Sequence, residues 1–123
     1  MGIIKRSELT PEIIAPGRTR YLAFTETLMT VVVDFNDGPT SGPDPPHSHP
    51  NEQVSYVVSG EINLFMENKL TRLGPGDMFT VPPNIPHSVQ LLTEHVILVD
   101  SFTPVREDFL KYGVACYPTG LIT

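Results

Sequence analysis

The stretch Gly42-Pro43-Asp44-Pro45-Pro46-His47-Ser48-His49-Pro50-Asn51-Glu52-Gln53 decides how the rest of the chain is read. It places two of the chain's four histidines two positions apart. In an extended backbone, residues two apart point to the same face. His47, His49 and Gln53 can therefore converge, provided Pro50 leaves the register unshifted. A third imidazole, His87, follows Pro82-Pro83-Asn84-Ile85-Pro86, whose three prolines fix φ and limit how far the ring can wander. A lone histidine is ordinarily a surface or hydrogen-bonded residue, but three with a side-chain amide point to a centre for one divalent transition metal. Ni, Zn, Fe, Co and Mn all suit such donors.

Outward from this stretch, the apolar runs Leu28 to Phe35, Val54 to Val58, Ile62 to Met66, Met78 to Val81, Val89 to Leu92 and Val96 to Val99 are all strand-length. Turn signals such as Asn36-Asp37-Gly38-Pro39, Ser59-Gly60 and Gly74-Pro75-Gly76-Asp77 separate them. Val54, Tyr56 and Val58 alternate with Ser55, and Ile62, Leu64 and Met66 with Glu61 and Asn63, so one face of each strand lines a core. Helix is limited to a turn or two over Arg106 to Tyr112, because Pro and Gly interrupt nearly every other window. The pattern is all-β and antiparallel, with its core over about residues 20–105. The ends, residues 1–20 and 113–123, pack as edge strands or contribute to a dimer.

The whole chain, residues 1–123, is of a size for one domain. Its 13 Pro and 9 Gly imply many short elements. A net charge of -6, with no basic cluster beyond Lys5-Arg6, repels a phosphate backbone and excludes nucleic acid as an expected partner. No segment has the run of about 18 apolar residues that crosses a bilayer. The single cysteine, Cys116, cannot form an intramolecular disulfide, and the opening residues carry no secretory pattern, so a cytoplasmic location is expected.

Both histidine stretches resemble the cupin family. Its first motif, G-x5-H-x-H-x3,4-E-x6-G, is met by Gly42, His47, His49, Gln53 and Gly60, with the first spacer one residue short and Gln in place of Glu. Its second motif, G-x5-P-x-G-x2-H-x3-N, is met by Gly76, Pro82 and His87, with Asn84 for the glycine and Leu91 for the asparagine. The resemblance implies a single-domain jelly-roll β-barrel, with His47, His49, Gln53 and His87 as metal ligands, and a homodimer. A neutral Gln53 leaves a divalent ion its full formal charge and removes a carboxylate that could act as a base.

The base is then sought elsewhere. Asp100 closes the apolar strand Glu94 to Asp100 either as a barrel-lining group or as a strand-end cap, with Phe102 on its face by parity. The segment Asp100-Ser101-Phe102-Thr103-Pro104-Val105-Arg106-Glu107-Asp108-Phe109-Leu110 is similar to the D-x-F-x-P-x-R-E-D-F-L signature of the KdgF branch of cupins, which also uses Gln as the fourth ligand. That resemblance implies ring opening and tautomerisation of 4,5-unsaturated monouronates to linear keto-uronates in pectin or alginate breakdown. It implies Asp100 and Arg106 as catalytic residues and Phe102 and Arg106 against a small anionic sugar; Tyr56 is a further substrate-binding candidate. The alternatives are a metal-dependent dioxygenase, or an isomerase or lyase acting on another small organic acid, and a non-catalytic sugar-acid binding module.

Overall fold

Residues Met29 to Phe35 show how the sequence builds its strands. Met29, Val31, Val33 and Phe35 are buried, while Thr30, Val32 and Asp34 between them are half-buried on the other face. The computed structural model, which describes residues 2–110, repeats this arrangement through nine strands. These are β1 (Glu12–Ala15), β2 (Arg18–Phe24), β3 (Met29–Phe35), β4 (Glu52–Ser59), β5 (Ile62–Met66), β6 (Lys69–Leu73), β7 (Met78–Val81), β8 (His87–Leu91) and β9 (Val96–Thr103). A 3-10 turn, Arg6–Glu8, precedes them, and one short helix, α1 (Glu107–Leu110), follows. Lys111, Tyr112 and Cys116 lie outside the described residues. No helix among the described residues is long and apolar enough to cross a membrane.

All pairings are antiparallel. One sheet has the order β1-β2-β3-β9-β4-β7 and the other β6-β5-β8. Their inward faces pack Leu22, Val31, Val57, Ile62, Leu91 and Val96 into one core, giving an all-β fold of two antiparallel sheets. β9 lies in the middle of the larger sheet, with Asp100 opposite Val31 of β3 on one side and Ser55 of β4 on the other. Gly60, between β4 and β5, has φ +79 and lies so close to the His95 carbonyl that a Cβ would collide with it, so the turn requires glycine. Glu67 and Asn68, both at positive φ, close the two-residue β5–β6 hairpin.

Two features depart from the sequence reading. The first concerns β4, whose inward residues are Gln53, Ser55 and Val57, all buried, whereas Val54, Tyr56 and Val58 face out. Tyr56, expected against the substrate, is instead 42% exposed on the outer surface of the barrel and does not line the cavity described below. The apolar content of the strand misleads because its polar inward residues serve the site. The second is β2, which begins Arg18-Thr19-Arg20 and carries no strand-like apolar run there. Arg18 and Arg20 pair with the inward residues Phe35 and Val33, and so face the interior. Arg18 holds Asp37 at 3.0 Å and Asp44 at 2.7 Å, tying down the loop that leads into His47.

Candidate metal centre

The ligand candidates are drawn together by backbone pairing between two distant loops. His47 and His87 form an isolated antiparallel bridge, each amide donating to the other's carbonyl at 3.0 and 2.9 Å. The Asn84 amide donates to the His49 carbonyl at 2.7 Å, from a residue at φ 63, a conformation that Asn tolerates where the family motif has glycine. The proline-rich segment is thus laced to the first histidine stretch. The side-chain ligand atoms of His47, His49 and His87 lie within 4.8 Å of one another.

Proton placement favours a cation there. His49 Nδ1 lies 2.9 Å from the Asn51 carbonyl, which only accepts, so the ring proton sits on Nδ1. Nε2 then carries a lone pair and meets Gln53 Oε1, another acceptor, at 3.0 Å. Two acceptors facing each other at that distance need a proton or a metal cation between them, and they are placed as two ligands of one ion would be. His87 repeats the arrangement: its Nδ1 donates to the Ile85 carbonyl at 2.8 Å, and its buried Nε2 has no hydrogen-bond partner. Carbonyls that orient imidazoles in this way are typical of metal-binding histidines. Partial burial, followed by the neighbouring His87 and His49, holds His47 down to about 4, and burial also lowers His87, so both rings are neutral donors at pH 7.

Gln53 belongs to a longer hydrogen-bonded line. Its Nε2 donates to Ser55 Oγ at 2.8 Å, and Ser55 Oγ donates to Asp100 Oδ1 at 2.6 Å. With Asp100 ionised, the one Ser55 proton is committed to it. Ser55 can then only accept from Gln53, which sets the amide with its nitrogen toward Ser55 and its oxygen toward His49. Asp100 lies inside β9, which continues to Thr103, so it is barrel-lining rather than a strand-end cap. The residue as a whole is of intermediate exposure, but its carboxyl group lies deep among protein atoms. Burial raises it to about 6, against the opposing effects of the Ser55 hydrogen bond and Arg106.

These groups line a cavity of about 170 Å³ that includes His47, Gln53, His87, Asp100, Phe102 and Arg106. Phe102 packs edge-on against His49, with ring centroids 5.5 Å apart, and against Phe109 of α1 at 5.7 Å. The Arg106 guanidinium lies 5.1 Å from the Phe102 centroid and is held by Asp108 at 2.6 Å. A wider hollow of about 660 Å³ between the β5–β6 hairpin and the Ile85-Pro86 turn gathers mainly apolar side chains; the titratable groups converge in the smaller one.

The structure thus brings seven of the eight sequence candidates to one cavity region and leaves Tyr56 outside. Ser55, Arg20 and Phe109 belong to the site region without having been singled out. Parity with Gln53 is the signal for Ser55, and Phe109 lies within the signature segment already quoted.

The family described as a cupin domain matches residues 31–102. The pectin degradation protein KdgF of Dickeya dadantii is 32% identical over 94 residues, covering 76% of this chain and 83% of that protein. The structure of KdgF from Halomonas sp. aligns with a TM-score of 0.80 at 32% identity, over 89% of this chain and 99% of that one. The dimethylsulfoniopropionate lyase DddQ of Ruegeria pomeroyi is 32% identical over 79 residues, 63% of this chain but 38% of that protein.

Proposed function

The chain belongs to the cupin family, among its KdgF relatives, and from that premise we propose that it opens the ring of 4,5-unsaturated monouronates to linear keto-uronates without net redox change. The observation that carries this reading is the line His49–Gln53–Ser55–Asp100, which joins a neutral ligand set to a carboxyl group near 6. His47, His49, Gln53 and His87 would hold a divalent cation, which when bound supplies Lewis-acid polarisation of substrate oxygens. Arg106 grips the substrate carboxylate, and Phe102 packs against the sugar face. Asp100 accepts the proton of the hemiacetal hydroxyl as the bond from C1 to the ring oxygen breaks. The ring oxygen becomes the enol oxygen on C5, and a proton returned to C4 gives the ketone, so protons and electrons balance. Ser55 keeps Asp100 and Gln53 in register throughout.

The test is the ultraviolet absorbance of unsaturated monouronates released by a polysaccharide lyase. The metal-loaded protein should accelerate its loss, a chelator should stop it, and the rate should rise with pH through a midpoint near 6 as Asp100 ionises. An unchanged decay with metal-loaded protein would overturn the reading. The lyase relative favours a second one, proton abstraction from another small acid. Cleavage of dimethylsulfoniopropionate by a protein that leaves uronates untouched would support it.

The outer face of the larger sheet supports a homodimer. Val54 (50% exposed), Tyr56 (42%) and Val58 (42%) of β4 adjoin Met78 (65%) of β7, which pairs directly with Tyr56. A contiguous apolar patch of this kind is covered most simply by the same patch on a second copy. Light scattering should give twice the monomer mass, and Tyr56→Glu should return it to one; a monomeric wild-type protein would remove the dimer.

A further inference from the structure

The interior-facing Arg20 of β2 is not used by the mechanism above. Its side chain is 13% exposed, and it lines the same cavity as Asp100 and Arg106. The Arg20 and Arg106 guanidinium carbons each lie 4.0 Å from the centroid of Phe109, so they are at most twice that, 8.0 Å, apart. The two are tethered alike. Arg20 uses Nε and Nη2 on Glu12 at 3.3 and 3.1 Å, and Arg106 uses Nε and Nη2 on Asp108 at 3.2 and 2.6 Å. In each case Nη1 has no hydrogen-bond partner among the described residues. A guanidinium stacked on an aromatic ring and fixed along one edge by a carboxylate is pre-organised, with its remaining donors available to an anion.

We propose that Arg20 and Arg106, set around Phe109, form one two-armed clamp for the carboxylate of a sugar acid. The Glu12–Arg20 pair is also a directly opposed cross-strand pair of β1 and β2, which alone would account for the contact. It would not account for an arginine turned to the interior, in the same cavity as a second arginine that shares its aromatic ring. The clamp rests on the uronate reading and sharpens it. With two arms on the carboxylate, a neutral sugar of the same shape is rejected, and the sugar is oriented with its acid end toward α1.

The test is calorimetric titration of the metal-loaded protein with D-galacturonate, a monouronate lacking the reactive double bond, and with D-galactose, its neutral counterpart. The wild type should bind galacturonate at least tenfold more tightly than galactose. Arg20→Gln should weaken galacturonate tenfold or more and leave galactose unchanged. Arg20→Lys, which keeps the charge but loses the planar fork, should fall between and serves if the Gln variant unfolds. Glu12→Gln, which keeps the guanidinium and one oxygen to accept from it, should weaken galacturonate clearly less than Arg20→Gln does. Galacturonate binding that is unaltered in the Arg20 variants, weakened equally by Glu12→Gln, or absent from the wild type would overturn the clamp. Arg20-dependent binding of galacturonate without turnover of unsaturated monouronates would overturn the reaction and leave the clamp standing.

Discussion

Replacing Asp100 by Asn is expected to reduce turnover of unsaturated monouronates by about 10²- to 10⁴-fold, the range of a positioned general acid–base group, with metal content unchanged. The amide has the shape of the carboxyl group, and its oxygen still accepts the Ser55 proton, so the ligand line survives while the proton acceptor is lost. The position of Asp100 near 6 follows chiefly from burial, which disfavours the charged form. Ser55 opposes that, so Ser55→Ala should move the acid limb of the pH profile above 6, and Asp100→Asn should abolish it. Stability provides an independent check. Because the folded-state value is raised from the ordinary 3.8, the contribution of this group is present below about pH 4 and lost as pH rises through 6. At pH 7 Asp100→Asn should therefore melt no lower than wild type in calorimetry, and wild-type turnover in the Asn variant would remove Asp100 from the reaction.

Removing His87 should be equally damaging for a different reason. The bridge that holds His47 beside position 87 is made by backbone amides and carbonyls, so His87→Ala keeps the loop pairing and deletes the imidazole. The buried Nε2, which has no protein partner, disappears with it. Elemental analysis should show the metal lost or much reduced. Lewis-acid polarisation supplies several kcal/mol and each 1.36 kcal/mol is tenfold in rate, so turnover should fall by about 10²-fold or more. A His87→Ala protein that retains stoichiometric metal would show that position 87 is not a ligand.

The parts of this molecule that are legible in its sequence are those where chemistry and apolar pattern coincide. The runs ending in Phe35, Met66 and Val81 are strands at almost the positions read from their apolar content and length, because alternate residues of each face the core. β4 shows where that reading stops: its site-facing residues are polar, so the apolar set belongs to the outer surface and Tyr56 is placed on the wrong side. β2 and β6 escape notice for a related reason, as do the bounds of β1, which falls in the end segment expected as an edge strand or dimer contact and forms an edge of the larger sheet. Their sequences Glu12-Ile13-Ile14-Ala15, Arg18-Thr19-Arg20 and Lys69-Leu70-Thr71-Arg72-Leu73 are too short or too charged to display a period, and tertiary pairing makes them strands. The histidines are visible as a spacing, whereas the Ser55 link and the stacked arginines require the distances.

The central position of β9 in its sheet has a temporal consequence. The last strand among the described residues is inserted between β3 and β4, two neighbours supplied roughly 70 and 45 residues earlier, rather than added to an edge. Long-range closures of this kind are slow steps in β proteins. On the ribosome, residues 1–95 hold every histidine but lack the strand that fills the gap beside Gln53. The acid group and the ligand cluster therefore come into register in one late event, and a chain interrupted before Val96 lacks the middle of its larger sheet rather than its rim.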